Sequence, residues 1–134
     1  MSDTPMLSFD ALIGCLEEME NLPDDWDGQG ARQPSIAAFG NAYLVIPLAC
    51  AAGRLPDRVT PDVMGGVALY WFSAKKTDGG ASRKYAWMSC DNDGSLCLLL
   101  SDRDSSFCQA RDVPAGLGIV DAIREAHSFV SAAA

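Results

Sequence analysis

The chain has 134 residues, of which 49% are hydrophobic and 21% charged, and its formal net charge is −8 at pH 7. This composition is typical of one globular domain and excludes an intrinsically disordered chain. No apolar run approaches the roughly 18 residues that cross a bilayer, and the acidic excess disfavours direct binding to nucleic acid, which needs a basic surface.

The negative charge is concentrated near the N-terminus. Residues 1–31 contain eight acidic side chains and no lysine or arginine, while the rest of the chain has as many acids as bases. The eight are Asp3, Asp10, Glu17, Glu18, Glu20, Asp24, Asp25 and Asp27. An acidic region of this kind favours a basic protein partner, or it serves solubility.

Helical periodicity begins after Ser8, a typical N-cap residue, and continues to about Glu20. Asp10 in the first turn suits the helix dipole. Glu17, Glu18 and Glu20 lie in the last turn, where negative charge is unfavourable by roughly a few tenths of a kcal/mol per residue. Their position is a mild indication of a binding role, but a solvated helix end is the preferred interpretation.

A connector of ten residues, Leu22–Ala31, follows this helix. Pro23 cannot continue the helix, and Gly28 and Gly30 supply the positive φ angles of a tight turn. Trp26 is expected to anchor the connector, with its ring against the core and its indole N–H bonded to a carbonyl group. We also include Trp26 among the candidate binding residues.

The connector matches the first half of a calcium-binding loop. Oxygen ligands stand at positions one, three and five from Asp25, and Gly30 follows at position six. Position twelve, which should supply a bidentate carboxylate, is Ile36. We therefore expect no metal and no cofactor, and a metal-dependent or small-molecule activity at Asp24, Asp25 and Asp27 is the alternative function.

A second helix is predicted after the N-cap Ser35, with an apolar stripe that includes Ile36. Pro47 should kink or split this helix, and Gly53 should end it. Residues 54–62 contain two prolines and are expected to form an extended crossing segment.

Hairpins are predicted after this segment. Strands are expected at residues 67–72 and 84–90, joined by a polar loop at residues 75–80. A third strand should follow a turn at residues 91–95. Residues 106–111 are the candidate for a fourth strand, at the sheet edge. A two-residue turn at Asp93–Gly94 would pair Cys90 with Cys97, Met88 with Leu99 and Trp87 with Leu100.

Five cysteines, with no C-x-x-C pair, indicate reduced thiols and a cytoplasmic protein. A disulfide between Cys90 and Cys97 is geometrically conceivable, but two packed thiols are favoured. The N-terminus also lacks the basic start and apolar core of a signal peptide, so we do not expect export.

A last helix is predicted at residues 117–130. The fold class is therefore α+β, a two-layer domain with a three- or four-stranded antiparallel meander, two N-terminal helices and one C-terminal helix. It comprises residues 1–134, with residues 1–6 and 131–134 expected to be frayed.

The two sheet faces should differ in their contacts. Residues expected to point to the helices are Val67, Leu69, Trp71, Trp87 and Leu100, and those expected on the second face are Tyr70, Phe72, Ala86, Met88 and Leu99. If no helix covers the second face, it becomes a site for a partner or a homodimer. The third helix is the alternative cover.

Catalytic signatures are missing. His127 is the single histidine, and nothing in its spacing links it to a nucleophile such as Cys15 or Cys108. Walker, dinucleotide-binding and G-x-S-x-G motifs do not occur. We predict no catalytic residue.

The chain contains the short motifs Trp26-Asp27-Gly28-x-Gly30-Ala31, Pro34-Ser35, Pro61 and Gly65-Gly66-Val67-x-Leu69-x-Trp71. With these motifs it resembles a widespread group of small bacterial proteins without an assigned function, and the similarity covers roughly residues 20–100. The resemblance implies a soluble bacterial protein, encoded near defence or toxin–antitoxin genes. It implies no catalytic residue.

The hypothesis from the sequence is a non-enzymatic protein-binding module, such as an inhibitor, an antitoxin-like protein or an adaptor. Its predicted partner is a basic protein, without direct nucleic-acid or membrane binding. The candidate binding residues are Glu17, Glu18, Glu20, Asp24, Asp25, Trp26 and Asp27. A plain homodimeric structural subunit is a further alternative.

Overall fold

The computed structural model describes residues 8–73, 84–103, 105–114 and 116–131. Within these ranges the elements are α1 (Phe9–Met19), α2 (Ile36–Ala51), β1 (Arg58–Pro61), β2 (Val67–Phe72), β3 (Lys84–Cys90), β4 (Leu96–Asp102), β5 (Phe107–Asp112) and α3 (Leu117–Ser131). The strands form one antiparallel sheet in chain order, β1-β2-β3-β4-β5. The predicted α+β class is confirmed.

The sheet has five strands, so the predicted number of three or four is wrong. The additional strand, β1, lies in the segment predicted to be an extended crossing, and it pairs Val59 with Leu69. Two prolines conceal it in the sequence, Pro56 before the strand and Pro61 at its last position. Pro61 is tolerated because β1 is an edge strand, where one missing N–H need not break the ladder.

The helix ends follow the predicted signals. Ser8 and Ser35 are N-caps, and each side-chain oxygen accepts the backbone N–H three residues later, at 3.1 and 3.0 Å. α2 continues through Pro47, so the predicted split does not occur. Pro47 is exposed, which lets water bond the carbonyl that has lost its N–H donor. Gly53 follows the end of α2 with φ 70°, as predicted.

The three described helices and the sheet enclose one hydrophobic core. α2 and α3 contact each other and the central strands, while α1 packs against α2 and β1. Trp71 is the largest buried side chain, with 1% of its surface exposed. Its indole N–H donates to the carbonyl oxygen of Arg54 at 2.8 Å, which satisfies the polar group inside the core.

The hairpin between β3 and β4 differs from the predicted two-residue turn. The N–H of Gly94 donates to the carbonyl of Asp91 (3.0 Å), the N–H of Asp91 donates to the carbonyl of Ser95 (2.9 Å), and Gly94 has φ 93°. This is the geometry of a three-residue loop that ends in a left-handed glycine. The additional loop residue shifts the pairing by one position and exchanges the faces of one strand relative to the other.

The register corrects several predicted contacts. Cys90 is buried under the helices, whereas Cys97 lies on the other sheet face, and both are free thiols, so the geometrically conceivable disulfide is excluded. Trp87 lies on the face away from the helices, opposite Leu99 and not Leu100. Ala86 and Met88, predicted on that second face, are fully buried in the core.

Some predictions fall outside the described residues, namely the polar loop at residues 75–80, Asp3, and the frayed ends at residues 1–6 and 132–134. Ser131, which was also expected to be frayed, is the last residue of α3. Within the described ranges, no helix has both the length and the hydropathy that a bilayer crossing requires.

Candidate functional site

The connector is folded by its own carboxylates. Each of them accepts backbone N–H groups from the connector or from the residues just after it. The donors are Gln29 (2.8 Å) and Ala31 (3.0 Å) to Asp27, Gly30 (2.6 Å) to Asp25, and Gln33 (2.9 Å) to Asp24. These aspartates therefore act as turn-forming residues, and the bonds from Gln29 and then Ala31 hold the pKa of Asp27 below its ordinary value.

Positive φ angles complete the turn. Gly28 and Gly30 have φ 77° and 90°, as the sequence predicts, and Asp25 has φ 64°. A left-handed conformation is uncommon for a residue other than glycine, although aspartate is among the side chains that tolerate it. The hydrogen bond from Gly30 to the Asp25 carboxylate spans the same turn.

Trp26 fastens the connector to its own C-terminal end. Its indole N–H donates to the carbonyl oxygen of Arg32 at 2.9 Å, which confirms the predicted bond. The ring is half-buried and does not belong to the hydrophobic core, so the predicted packing against the core is wrong. A half-exposed tryptophan held by a fixed hydrogen bond is available to contact a partner.

The segment that leaves the connector is fixed against two turns of the sheet. Ser35 uses its side chain twice, because the oxygen caps α2 and the hydroxyl donates to the carbonyl of Asn92 at 2.9 Å. Further bonds run from the N–H of Arg32 to the carbonyl of Val63 (2.8 Å), from the N–H of Ser35 to Gly65 (3.0 Å), and from Nδ2 of Asn92 to Met64 (2.7 Å). The site is therefore built on a rigid frame.

A cleft of about 880 Å³ lies between the connector, the start of α2 and these two turns. Its charged lining consists of Glu20, Asp24, Asp25 and Arg32. Ile36 lines it too and is 91% exposed, so this residue is not part of the predicted buried stripe of α2. The cleft combines a net negative lining with an exposed apolar side chain.

The carboxylates at the end of α1 are exposed, and one of them, Glu20, lines the cleft. Glu17 and Glu18 lie in the last turn of α1, next to Glu20 in the lining. We call this surface, formed by Glu17, Glu18, Glu20, Asp24, Asp25 and Asp27, the acidic face. Among the described residues, no lysine or arginine forms an ion pair with it, although Arg32 lines the same cleft. Asp10 lies in the first turn of α1, at the opposite end of the helix.

Tyr43 contacts the acidic face through its hydroxyl group. Its hydroxyl donates a hydrogen bond to Oε2 of Glu20. Burial of the hydroxyl, the bond to Glu20 and the charges of Glu20 and Glu17 together raise the pKa of Tyr43 to about 12. A phenol is harder to ionise where burial removes water from it and where anionic charge is nearby.

The carboxylates of the connector do not converge on a common point. In the part of the chain that the structure describes, no group of three or more His, Cys, Asp and Glu side chains is arranged to hold a metal ion. His127 lies on α3, with its Nε2 3.5 Å from Oγ of Ser131 on the same helix. Among the described residues, no thiol is hydrogen-bonded to His127, so the structure does not join it to Cys15 or Cys108.

Sequence analysis did not identify every residue of this site. Arg32 and Asn92 line the cleft from two different loops, and neither was predicted to lie there. One available signal was Ile36, because an apolar residue directly after an N-cap lies at a helix end that is often exposed.

Comparisons of the chain with known protein families, with curated proteins and with solved structures found no match. The resemblance to a group of small bacterial proteins therefore remains a prediction. The candidate site is defined by its geometry, and it consists of the acidic face, the cleft and the apolar residues beside them.

Proposed function

We propose that this chain is a non-enzymatic protein-binding module, as an inhibitor, an antitoxin-like protein or an adaptor is, and that its acidic face binds a basic surface of a protein partner. One observation carries the proposal. Glu17, Glu18 and Glu20 are exposed at the end of α1 with no cationic partner in the described ranges, and Glu20 shares a cleft with Asp24 and Asp25.

The charge is placed where it costs stability within the monomer. Carboxylates near the C-terminus of a helix face the negative end of its dipole, and like charges close together repel each other. A basic partner would relieve both effects. Complementary charge also accelerates the encounter between proteins and excludes wrong partners.

Exposed apolar side chains beside the acidic face supply a second component of an interface. Ile36 is 91% exposed, and Met64 and Val63 in the neighbouring turn are 62% and 51% exposed. Protein interfaces combine an apolar centre with a polar rim, and half-exposed tryptophans such as Trp26 are enriched among their strongest contacts. The partner surface should therefore present basic groups around an apolar contact.

The cellular setting is part of the proposal. The resemblance supports a bacterial protein associated with toxin–antitoxin or defence genes. Five free cysteines, including the exposed Cys50 and Cys108, support a reducing cytoplasm.

The test uses the two glutamates that have no structural role. Glu17 and Glu18 make no described hydrogen bond through their side chains, whereas Asp24, Asp25 and Asp27 hold the connector. The variant Glu17→Gln/Glu18→Gln therefore removes two negative charges without disturbing the loop. Asp121→Lys on α3 is the matched control, because it changes the net charge by the same amount at an exposed position away from the site.

Immobilised wild-type chain and both variants are incubated with native lysate, and the captured proteins are quantified by mass spectrometry. We expect the wild type and Asp121→Lys to capture a basic protein that Glu17→Gln/Glu18→Gln does not capture. Salt should release this protein as the ionic strength rises from about 0.1 M to about 1 M, where the Debye length falls from about 10 Å to about 3 Å. Equal capture by the double variant would overturn the proposal.

The cleft favours one alternative, a small-molecule or metal-dependent activity at Asp24, Asp25 and Asp27. Its volume of about 880 Å³ lies within the range typical of ligand pockets. Calorimetry with millimolar calcium, magnesium and manganese tests the metal-dependent form. Heat that disappears in Asp25→Asn would support it, and a flat trace would remove it.

A further inference from the structure

The sheet face opposite the helices, which we call the open face, carries a cluster of aromatic side chains. Its centre consists of Tyr70, Phe72, Tyr85, Trp87 and Leu99, all half-buried. Ring centroids are 5.9 Å apart for Tyr70 and Phe72, 6.0 Å for Tyr70 and Trp87, and 5.4 Å for Tyr85 and Trp87. The described helices all lie on the other face.

Among the described strand residues, charge on this face is confined to its two sides. Among the described strand residues that point there, Arg58 on β1 and Asp112 on β5 are the charged ones. Arg58 pairs with Tyr70, and Asp112 pairs with Cys97, which fixes both on the open face. Aromatic residues at the centre with charge confined to the rim are typical of a protein interface.

We propose that the open face is the interface of a homodimer, in which two copies of the chain pack sheet against sheet around a two-fold axis parallel to the strands. An axis through β3 places β1 of one copy over β5 of the other. The aromatic centre of one copy then meets that of its partner, as a two-fold interface requires.

The charges at the two sides are complementary under this symmetry. Arg58, Tyr70, Trp87, Leu99 and Ala110 form one row across the sheet. The two-fold axis therefore places Arg58 of one copy opposite Ala110 of the other. Asp112 lies two residues from Ala110, roughly 7 Å along the strand, which is within reach of an arginine side chain. Each dimer contains this pair twice.

Repulsion between the two negatively charged copies is weakened by the position of the acidic face. The acidic face is formed by α1 and the connector, in the helical layer. Two copies that meet through their sheets keep these carboxylates on the outer sides of the dimer, where solvent and salt screen them. The dimer would present two acidic faces and is independent of what they bind.

The size of the open face is sufficient for a specific contact. Five strands spaced about 4.8 Å apart and roughly six residues long cover about 24 by 20 Å, or roughly 500 Å² in projection. Two copies therefore bury about 1,000 Å², the lower limit for a biological interface. We expect a dimer of moderate affinity that dissociates on dilution.

Sedimentation velocity of the full chain over a range of concentrations tests the proposal. The wild type should change from a monomer of 14.2 kDa to a species of twice that mass as the concentration rises. Trp87→Ser removes the central ring and should weaken the dimer by about 30-fold or more, as loss of a hot-spot residue does. Leu117→Ser, at a position 81% exposed on α3, is the control and should not alter the equilibrium.

Charge reversal provides a test that does not depend on the folding of the Trp87 variant. Arg58→Asp and Asp112→Arg should each weaken the dimer, and the two together should restore it, because the pair is formed again with the charges exchanged. A wild-type chain that stays monomeric at all concentrations would overturn the proposal. A dimer that is unaffected by all three changes on the open face would overturn it as well.

Discussion

Ser35→Ala should destabilise the protein by more than a helix cap is worth. The Ser35 oxygen accepts the N–H of Ala38 at 3.0 Å at the start of α2, and its hydroxyl donates to the carbonyl of Asn92 at 2.9 Å in the hairpin between β3 and β4. One side chain therefore joins the helical layer to a sheet turn. Ser8 caps α1 in the same way, with a bond of 3.1 Å from Ala11, and has no described tertiary bond.

The difference between the two serines gives the expected magnitude. Loss of an N-cap costs about 1 kcal/mol, and loss of one further hydrogen bond costs about 1 kcal/mol more. Ser35→Ala should thus lower the free energy of unfolding by about 2 kcal/mol, and Ser8→Ala by about 1 kcal/mol. With an unfolding entropy of about 2.1 cal/mol/K per residue, these losses lower the Tm of this chain by roughly 7 and 4 °C.

Urea unfolding followed by circular dichroism measures both variants against the wild type. The urea midpoints should fall in the order wild type, Ser8→Ala, Ser35→Ala, at a common slope of free energy against urea. Equal losses for the two variants would refute the reasoning, because they would mean that the bond from Ser35 to Asn92 contributes nothing.

Three further predictions follow from burial and close contacts. The phenol of Tyr43 should titrate near pH 12 in an absorbance titration. Because its folded pKa lies above the unfolded value of 10.0, its contribution to stability is fully present below pH 10 and is lost as the pH rises to about 12. The variant Tyr43→Phe should remove this pH dependence of stability. Burial, and then the charge of the neighbouring Asp91, raises the pKa of the Cys90 thiol to about 12. A thiol reagent should therefore modify the exposed Cys50 in the native protein and reach Cys90 only on unfolding. Rapid labelling of Cys90 in the native protein, detected by mass spectrometry, would contradict its burial. Gly66→Ala should lower the free energy of unfolding, measured with urea, by about 1–3 kcal/mol, because the added Cβ would lie 2.6 Å from the Cys90 carbonyl oxygen. Gly40→Ala, in α2, should raise it by about 0.5–1 kcal/mol, since the added Cβ would have no atom within 4 Å. The opposite order of stability would exclude the steric explanation.

Local signals predicted most of the secondary structure. The serine caps, Pro23 and Gly53 set helix ends within a few residues of the observed ones, because these effects act over one turn of chain. β1 was missed, since its prolines argue against a strand unless the strand lies at a sheet edge, and edge position depends on the whole sheet.

The candidate site was predictable only where it is local in the chain. Glu17, Glu18 and Glu20, with the aspartates of the connector, are identified by composition. The role of those aspartates as acceptors for backbone N–H groups also follows from their turn chemistry. The cleft needs the turns at Gly65 and Asn92 to come against the connector.

The sequence by itself determined the α+β class, the helix caps and the segregation of negative charge, because each depends on residues close together in the chain. Only the tertiary structure decided which sheet face the helices cover and what the other face presents. A single additional residue in the loop at Gly94 turned Met88 and Cys90 into the core and Trp87 away from it. Side chains alternate along a strand with a period of two, so one residue of register exchanges a buried face for an exposed one.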